Sequence, residues 1–190
     1  MFMTKNKTVF LDRDGVINED SDEYIKSRDE FHFIPGSRRA VQLLNENGFD
    51  VILITNQSAV NRGMITEVVL HGIHELLNTC LAEIGASLLD IFFCPHRPDE
   101  KCNCRKPETG MLKAAKKKYG ISLEAAYFVG DSIKDVECAR NAGLKGAILV
   151  LTGKGRNSVK KLAEKNITPD FTAENLLEAV YWIIDREKLV

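Results

Sequence analysis

The sequence predicts an α/β fold of three layers, Rossmann-like, with a mostly parallel central sheet between helices. Three observations predict it. Short, β-rich apolar runs alternate with longer amphipathic stretches, the pattern of right-handed βαβ units. Glycines at 48, 120 and 143 follow the amphipathic stretches where helices should stop. The chain has 190 residues, 44% of them apolar and 28% charged, which fits one domain (1–190) able to bury a full core without disulfides.

Taken in order, Thr8-Val9-Phe10-Leu11 reads as a buried strand. Ser37 to Asn47 reads as a helix stopped by Gly48, and Val51 to Ile54 as the next strand. Thr66 caps a helix whose apolar face holds Val69, Ile73, Leu76, Leu77, Leu81 and Ile84, at spacings of three and four. Asp90 to Phe93 is a third strand, Thr109 to Tyr119 a helix, Tyr127 to Val129 a strand, and Ser132 to Asn141 a helix ending at Gly143. Ala147 to Leu151 is a further strand, and Val159 to Lys165 and Glu174 to Glu187 close the chain as helices. Residues 18–35, 57–65 and 94–108 read as irregular, with Phe31 and Phe33 around His32 suggesting a short strand or hairpin. No repeat, low-complexity stretch or interdomain linker interrupts the pattern.

Composition narrows the function classes. The formal net charge is −1 and the basic residues are spread along the chain, so no clustered stripe marks a nucleic-acid surface. No run of about 18 apolar residues exists, and Met1 to Thr8 is short and polar, without an apolar signal core. The expected compartment is the cytoplasm, with no membrane contact. A small-molecule substrate and a monomeric state are expected. Five cysteines in a reducing compartment do not suggest a disulfide framework.

In open α/β sheets, ligands bind beyond the carboxyl ends of the strands. Four such ends carry polar groups here: Asp12 and Asp14, Thr55-Asn56, Cys94 with Arg105-Lys106 later in its loop, and Gly130-Asp131. Each alone suits an ordinary turn, cap or solvated surface; together and in this order they suit phosphoryl transfer. Asp12 and Asp14 alternate around Arg13, and two such carboxylates need a cation or proton between them. Mg²⁺ prefers hard oxygen ligands and keeps waters that a phosphate can replace. Asp131 would complete that site, with Asp135 supporting it one turn on. Thr55 and Lys106 would neutralise the phosphoryl oxygens while an aspartate attacks phosphorus and forms an aspartyl-phosphate.

Phe10-Leu11-Asp12-Arg13-Asp14-Gly15, Ile54-Thr55-Asn56, Lys106-Pro107 and Gly130-Asp131 resemble, in order and spacing, the four motifs of the haloacid dehalogenase superfamily. The resemblance spans roughly residues 8 to 153. It implies the superfamily's fold, with Asp12 as nucleophile and metal ligand and Asp14 as general acid/base that binds metal through its backbone carbonyl. Thr55 and Lys106 would hold the phosphoryl group, and Asp131 would be a metal ligand. No insertion of about 60 residues or longer is present, so no separate cap domain is expected.

Cys94-Pro95-His96 is followed by five residues and then Cys102-Asn103-Cys104. Three thiolates and an imidazole match a tetrahedral Cys₃His zinc site, structural because no position stays open. This zinc-binding loop, residues 94–104, leads directly into Arg105 and Lys106, and folding it around zinc would aim both cations. The bland alternative is three free thiols and a surface histidine. Within the superfamily, the zinc loop together with Thr55-Asn56-Gln57-Ser58, Arg62-Gly63, Pro107-x-x-Gly110-Met111 and Val150-Leu151-Thr152-Gly153 is similar to two groups. These are the D-glycero-D-manno-heptose-1,7-bisphosphate 7-phosphatases and, with fewer elements shared, the histidinol-phosphate phosphatases. The first resemblance implies removal of the 7-phosphate of a heptose bisphosphate, in ADP- or GDP-heptose biosynthesis for bacterial surface polysaccharide. It also implies a substrate site of Arg13, Asp20, Ser21, Asp22, Glu23, Tyr24, Asn56, Gln57, Ser58, Arg62, Arg105 and Ser132. Ser132 departs from the basic residue usual after the metal aspartate. A non-catalytic zinc-stabilised binding module is the third reading, which loss of an active-site residue would favour.

His32, His71 and His74 lack acidic or cysteine neighbours at ligand spacing and read as structural. Cys80 and Cys138 read as small core residues, Trp182 as packing on the sheet, and Lys116-Lys117-Lys118 as a solvated helix end.

Overall fold

The computed structural model describes residues 7–189; the reading of the leading segment therefore lies largely outside the described residues. Six parallel strands form one sheet in the order β3-β2-β1-β4-β5-β6. They are β1 (Lys7–Leu11), β2 (Phe49–Asn56), β3 (Asp90–Cys94), β4 (Tyr127–Gly130), β5 (Gly146–Val150) and β6 (Phe171–Ala173). The helices are α1 (Ser37–Glu46), α2 (Glu67–Ala82), α3 (Gly110–Tyr119), α4 (Ile133–Asn141), α5 (Gly155–Glu164) and α6 (Leu176–Lys188).

Alternation along the strands sorts the core into two halves. Val9, Leu11, Val51, Leu53, Tyr127 and Val129 face α1, α2 and α6 through Val41, Ile73, Leu77, Val180 and Ile183. Phe10, Ile52, Ile54, Phe128 and Leu149 face α3, α4 and α5 through Leu112, Val136 and Leu162. Strands buried on both faces read as continuous apolar runs, which is why the sequence marks them well. Trp182 of α6 stacks on Phe171 of β6 at 5.1 Å and meets Tyr127 edge-on.

The chain leaves β1 in both directions, towards β2 and β3 on one side and β4 to β6 on the other. Sheets of this kind place a ligand crevice at such a reversal. Between β1 and β2 lie α1 and a loop held by two isolated bridges, Asp14 to Asn18 and Asn18 to Phe33; no cap domain occupies this stretch.

The structure corrects four local readings. Strand β6 has only three residues and a single partner, too short for periodicity to reveal. Helix α5 begins at Gly155 rather than Val159; a Cβ at 155 would lie 1.8 Å from the Val150 carbonyl oxygen, so the position requires a glycine and carries no apolar side chain to mark the start. In α2, Leu70 rather than Val69 faces inward; Val69 is 38% exposed. Thr66 does cap α2, accepting from the Val69 amide, and this fixes the face that the first turn presents. Cys80 is only half-buried, whereas Cys138 is in the core. No helix among the described residues is long and apolar enough to cross a membrane.

Candidate active site

The carboxyl ends of β1, β2 and β4 and the loop after β3 converge on one cavity of about 460 Å³. Its lining includes Asp12, Asp14, Thr55, Asn56, Lys106 and Asp131. The Asp12 amide donates to the Val129 carbonyl at 3.0 Å, so the nucleophile candidate is registered against β4 before its side chain is considered.

Lys106 is buried and its ammonium is the hub. It lies 2.9 Å from Asp12, 2.6 Å from Asp135 and 2.8 Å from the Ile54 carbonyl oxygen. Burial opposes its charge, yet the two carboxylates hold its pKa well above the ordinary lysine value. Asp12, Asp131 and Asp135 each bring an oxygen within 4.8 Å of the others. Burial pushes the Asp12 carboxyl up to about 7; Lys106 pulls it down, while Asp135 and Asp14 add to the rise. Burial and the neighbouring Asp135 and Asp12 push Asp131 up to about 8. Three ionised carboxylates beside one ammonium would leave two uncompensated negative charges. A hard divalent cation fits that deficit and the all-oxygen donor set.

Glycines make this crowding possible. Gly15 and Gly153 both have positive φ, and a Cβ on either would sit 2.2 Å from an Asp131 carboxylate oxygen. A Cβ on Gly130 would sit 2.2 Å from the Asp135 Cβ. Ser132 caps α4, and its amide and hydroxyl both donate to Asp135, at 2.9 and 2.6 Å.

Asp14 is placed differently. Its Oδ1 accepts from Arg13 Nη2 at 2.9 Å and Asn18 Nδ2 at 2.9 Å; its Oδ2 accepts from Arg13 Nη2 at 3.0 Å and Gln57 Nε2 at 2.8 Å. Burial would raise its pKa, but the Arg13 guanidinium, with Asn18 and Gln57, holds it below the usual carboxylate value.

The cysteine loop is compact. Cys104 Sγ lies 3.2 Å from Cys94 Sγ, 3.4 Å from Cys102 Sγ and 3.2 Å from His96 Nδ1. Tetrahedral zinc, with bonds of about 2.0–2.3 Å, separates its ligands by roughly 3.4–3.8 Å; Cys94 Sγ lies 3.5 Å from His96 Nδ1 and 3.6 Å from Cys102 Sγ, within that span, and the two 3.2 Å contacts of Cys104 fall just short of it. Arg105 donates to the His96 carbonyl at 3.0 Å, tying a cavity residue to the loop. The α3 N-terminus also packs on it: the Gly110 amide donates to the Asn103 carbonyl at 2.9 Å, where a Cβ would lie 2.3 Å from that oxygen.

Of the other residues expected at the substrate site, Asp20, Ser21, Asp22, Tyr24, Gln57, Ser58, Arg105 and Ser132 line the cavity. Three do not. Arg13 is fully buried among Asp14, Gln57 and His74, so it has no free donor face to offer a ligand. Glu23 is exposed outside the lining, and Arg62 stands over the Tyr24 ring at 5.9 Å. The structure adds Lys134, Lys154, Asn157 and Lys161. Lys154 follows the end of β5, and its amide donates to Asp131 at 2.7 Å while its ammonium meets Asp20 at 2.9 Å. The strand-end rule, applied to β5, would have found it. His74, read as one structural histidine among three, is buried with Nε2 3.3 Å from Arg13 Nη1; no local signal marks that partnership.

The chain is similar to known hydrolases. Residues 1–140 match the family model described as haloacid dehalogenase-like hydrolase, and residues 103–179 match a second HAD-hydrolase-like model. The D-glycero-beta-D-manno-heptose-1,7-bisphosphate 7-phosphatase of Pseudomonas putida is 46% identical over 155 residues, 82% of this chain and 88% of that protein. The corresponding phosphatase of Chlorobaculum tepidum is 36% identical, with 94% of each chain covered. Among solved structures, the D,D-heptose 1,7-bisphosphate phosphatase of B. bronchiseptica, complexed with magnesium and phosphate, superposes with a TM-score of 0.88 at 38% identity. That match covers 95% of this chain and 99% of the other.

Proposed function

The chain belongs to the haloacid dehalogenase-like hydrolases and is a phosphoric monoester hydrolase, and from that premise we propose that it removes the 7-phosphate of D-glycero-D-manno-heptose 1,7-bisphosphate. One observation carries this reading. The Asp12–Lys106–Asp131 cluster lies in the same cavity as Arg105, Lys134 and Lys161, cations that pair with no carboxylate among the described residues and so suit a substrate with a second phosphate, whereas Lys154 is paired with Asp20. The relatives at 36–46% identity carry that activity in their names. The same reading places the enzyme in the supply of nucleotide-activated heptose.

In the proposed reaction an Asp12 oxygen attacks phosphorus as the bond to the sugar oxygen breaks. The leaving oxygen takes a proton from Asp14, whose carboxyl is ionised in the free site and must take up that proton from solvent as the phosphate dianion binds beside it. Water then attacks the phosphorus of the acyl phosphate, gives a proton back to Asp14, and frees Asp12 and inorganic phosphate. The Thr55 hydroxyl and the Lys106 ammonium hold the phosphoryl oxygens. Asp12, Asp131 and the Asp14 carbonyl would hold Mg²⁺, which when bound neutralises charge on the transferring group. Asp135 joins this set by position. Cys94, His96, Cys102 and Cys104 would hold zinc and so fix Arg105 through the His96 carbonyl. Asp20, Ser21, Asp22, Tyr24 and Ser58 face the sugar.

Phosphate release from heptose 1,7-bisphosphate and from histidinol phosphate, with Mg²⁺, tests the proposal. The expected result is preference for the heptose substrate and loss of turnover in Asp12→Asn with the fold intact. Preference for histidinol phosphate would overturn the substrate, and an active Asp12→Asn would overturn the covalent mechanism.

A further inference from the structure

Gln57 lines the cavity, yet its amide is engaged by the protein. Arg13 Nη2 donates to its Oε1 at 3.2 Å. Arginine only donates, so this contact fixes which end of the amide is oxygen. The nitrogen then carries two hydrogens, and it has two acceptors: Asp14 Oδ2 at 2.8 Å and Thr55 Oγ1 at 2.8 Å. Gln57 is only 3% exposed, and Arg13 behind it is fully buried against His74 of α2. One side chain thus bridges the residue that moves the proton and the residue that grips the phosphoryl group.

We propose that Gln57 is a positioning residue, backed by Arg13, that sets Asp14 and Thr55 relative to each other, rather than a contact to the sugar. The proposal rests on the phosphatase reading above. The chemistry follows from the hydrogen inventory. With a lone pair of Thr55 Oγ1 taken by the amide, the hydroxyl hydrogen is left to donate to a phosphoryl oxygen. With Oδ2 of Asp14 tied to the same amide, the carboxyl cannot rotate freely away from the leaving oxygen. A group that transfers a proton must lie within hydrogen-bond reach of it, so loosening this tie should damage proton transfer more than phosphate binding.

The test is Gln57→Met, which keeps the length of the side chain and removes the amide, with Arg13→Lys as a second variant that keeps the charge and loses the fork. kcat/KM, which reports the steps through breaking of the P–O bond, is measured with p-nitrophenyl phosphate and with an alkyl phosphate. Nitrophenolate leaves without a proton; an alkoxide needs one. The expected result for Gln57→Met is a loss of about 100-fold on the alkyl phosphate, the usual size of a general-acid contribution. On p-nitrophenyl phosphate the loss should stay below about 5-fold. Equal losses on both substrates, or no loss on either, would overturn the proposal even if one variant fails to fold, because the other carries the comparison. Wild-type turnover of these substrates without turnover of heptose bisphosphate would refute only the sugar assignment. Wild-type turnover of no phosphate ester would refute the phosphatase reading and this proposal with it.

Discussion

Magnesium binding at the carboxylate cluster should release protons, and the number follows from the site. With Asp12 raised to about 7 and Asp131 to about 8, the metal-free pair at pH 7 shares on the order of one proton. The two titrate as a coupled pair, so the measurable quantity is their sum. A divalent cation requires both ionised, and binding at pH 7 should release about one proton. Isothermal titration calorimetry in two buffers of different ionisation enthalpy measures that number directly. Release should approach zero at pH 9, and the Mg²⁺ affinity should rise steeply between pH 5 and 7. Stability follows the same linkage. Both folded-state values lie above the unfolded carboxylate value of 3.8, so the contribution to the metal-free fold is complete below about pH 4. It is lost as pH rises through 7 to 8. Added Mg²⁺ should therefore raise the melting temperature more at pH 8 than at pH 5. Heats at pH 7 that do not depend on the buffer would refute the picture of a cluster kept partly protonated until the cation arrives.

Two further outcomes test how the site is held. Cys102→Ser should lower zinc content and reduce kcat/KM, since the loop that fixes Arg105 through the His96 carbonyl loses a ligand; full activity at normal zinc stoichiometry, read by metal analysis, would show that the loop does not aim Arg105. Gly15→Ala should cost about 1–3 kcal/mol in chemical denaturation, because a Cβ there meets both an unfavourable positive φ and the Asp131 carboxylate at 2.2 Å. It should also weaken Mg²⁺ binding, and an unchanged affinity would mean that Asp131 is not held by this close packing.

Much of this could be read from the chain because parallel strands buried on both faces leave short apolar runs, and the residue that follows such a run lies at the sheet's carboxyl edge. Asp12, Thr55 and Asp131 follow from that rule alone. The Cys94-to-Cys104 cluster was legible because its three cysteines and one histidine lie within eleven residues. The rule faltered where the local signal was weak. Three-residue β6 escaped it, and the helix read from Val159 begins at Gly155, where close packing on Val150 requires a glycine.

The sequence by itself determined the succession of the helices and of five of the six strands, the polar groups at the strand ends and the zinc-type loop, because each depends on residues close together in the chain. Only the tertiary structure decided what those groups touch. Arg13 turned inward to His74, 61 residues away, and Gln57 reached back 43 residues to Asp14. Lys154 joined the cavity from the end of β5, and Asp135 came to share Lys106 with Asp12. Such partnerships form only when helices and strands distant in sequence pack together, and periodicity along one element holds no record of what packs against it.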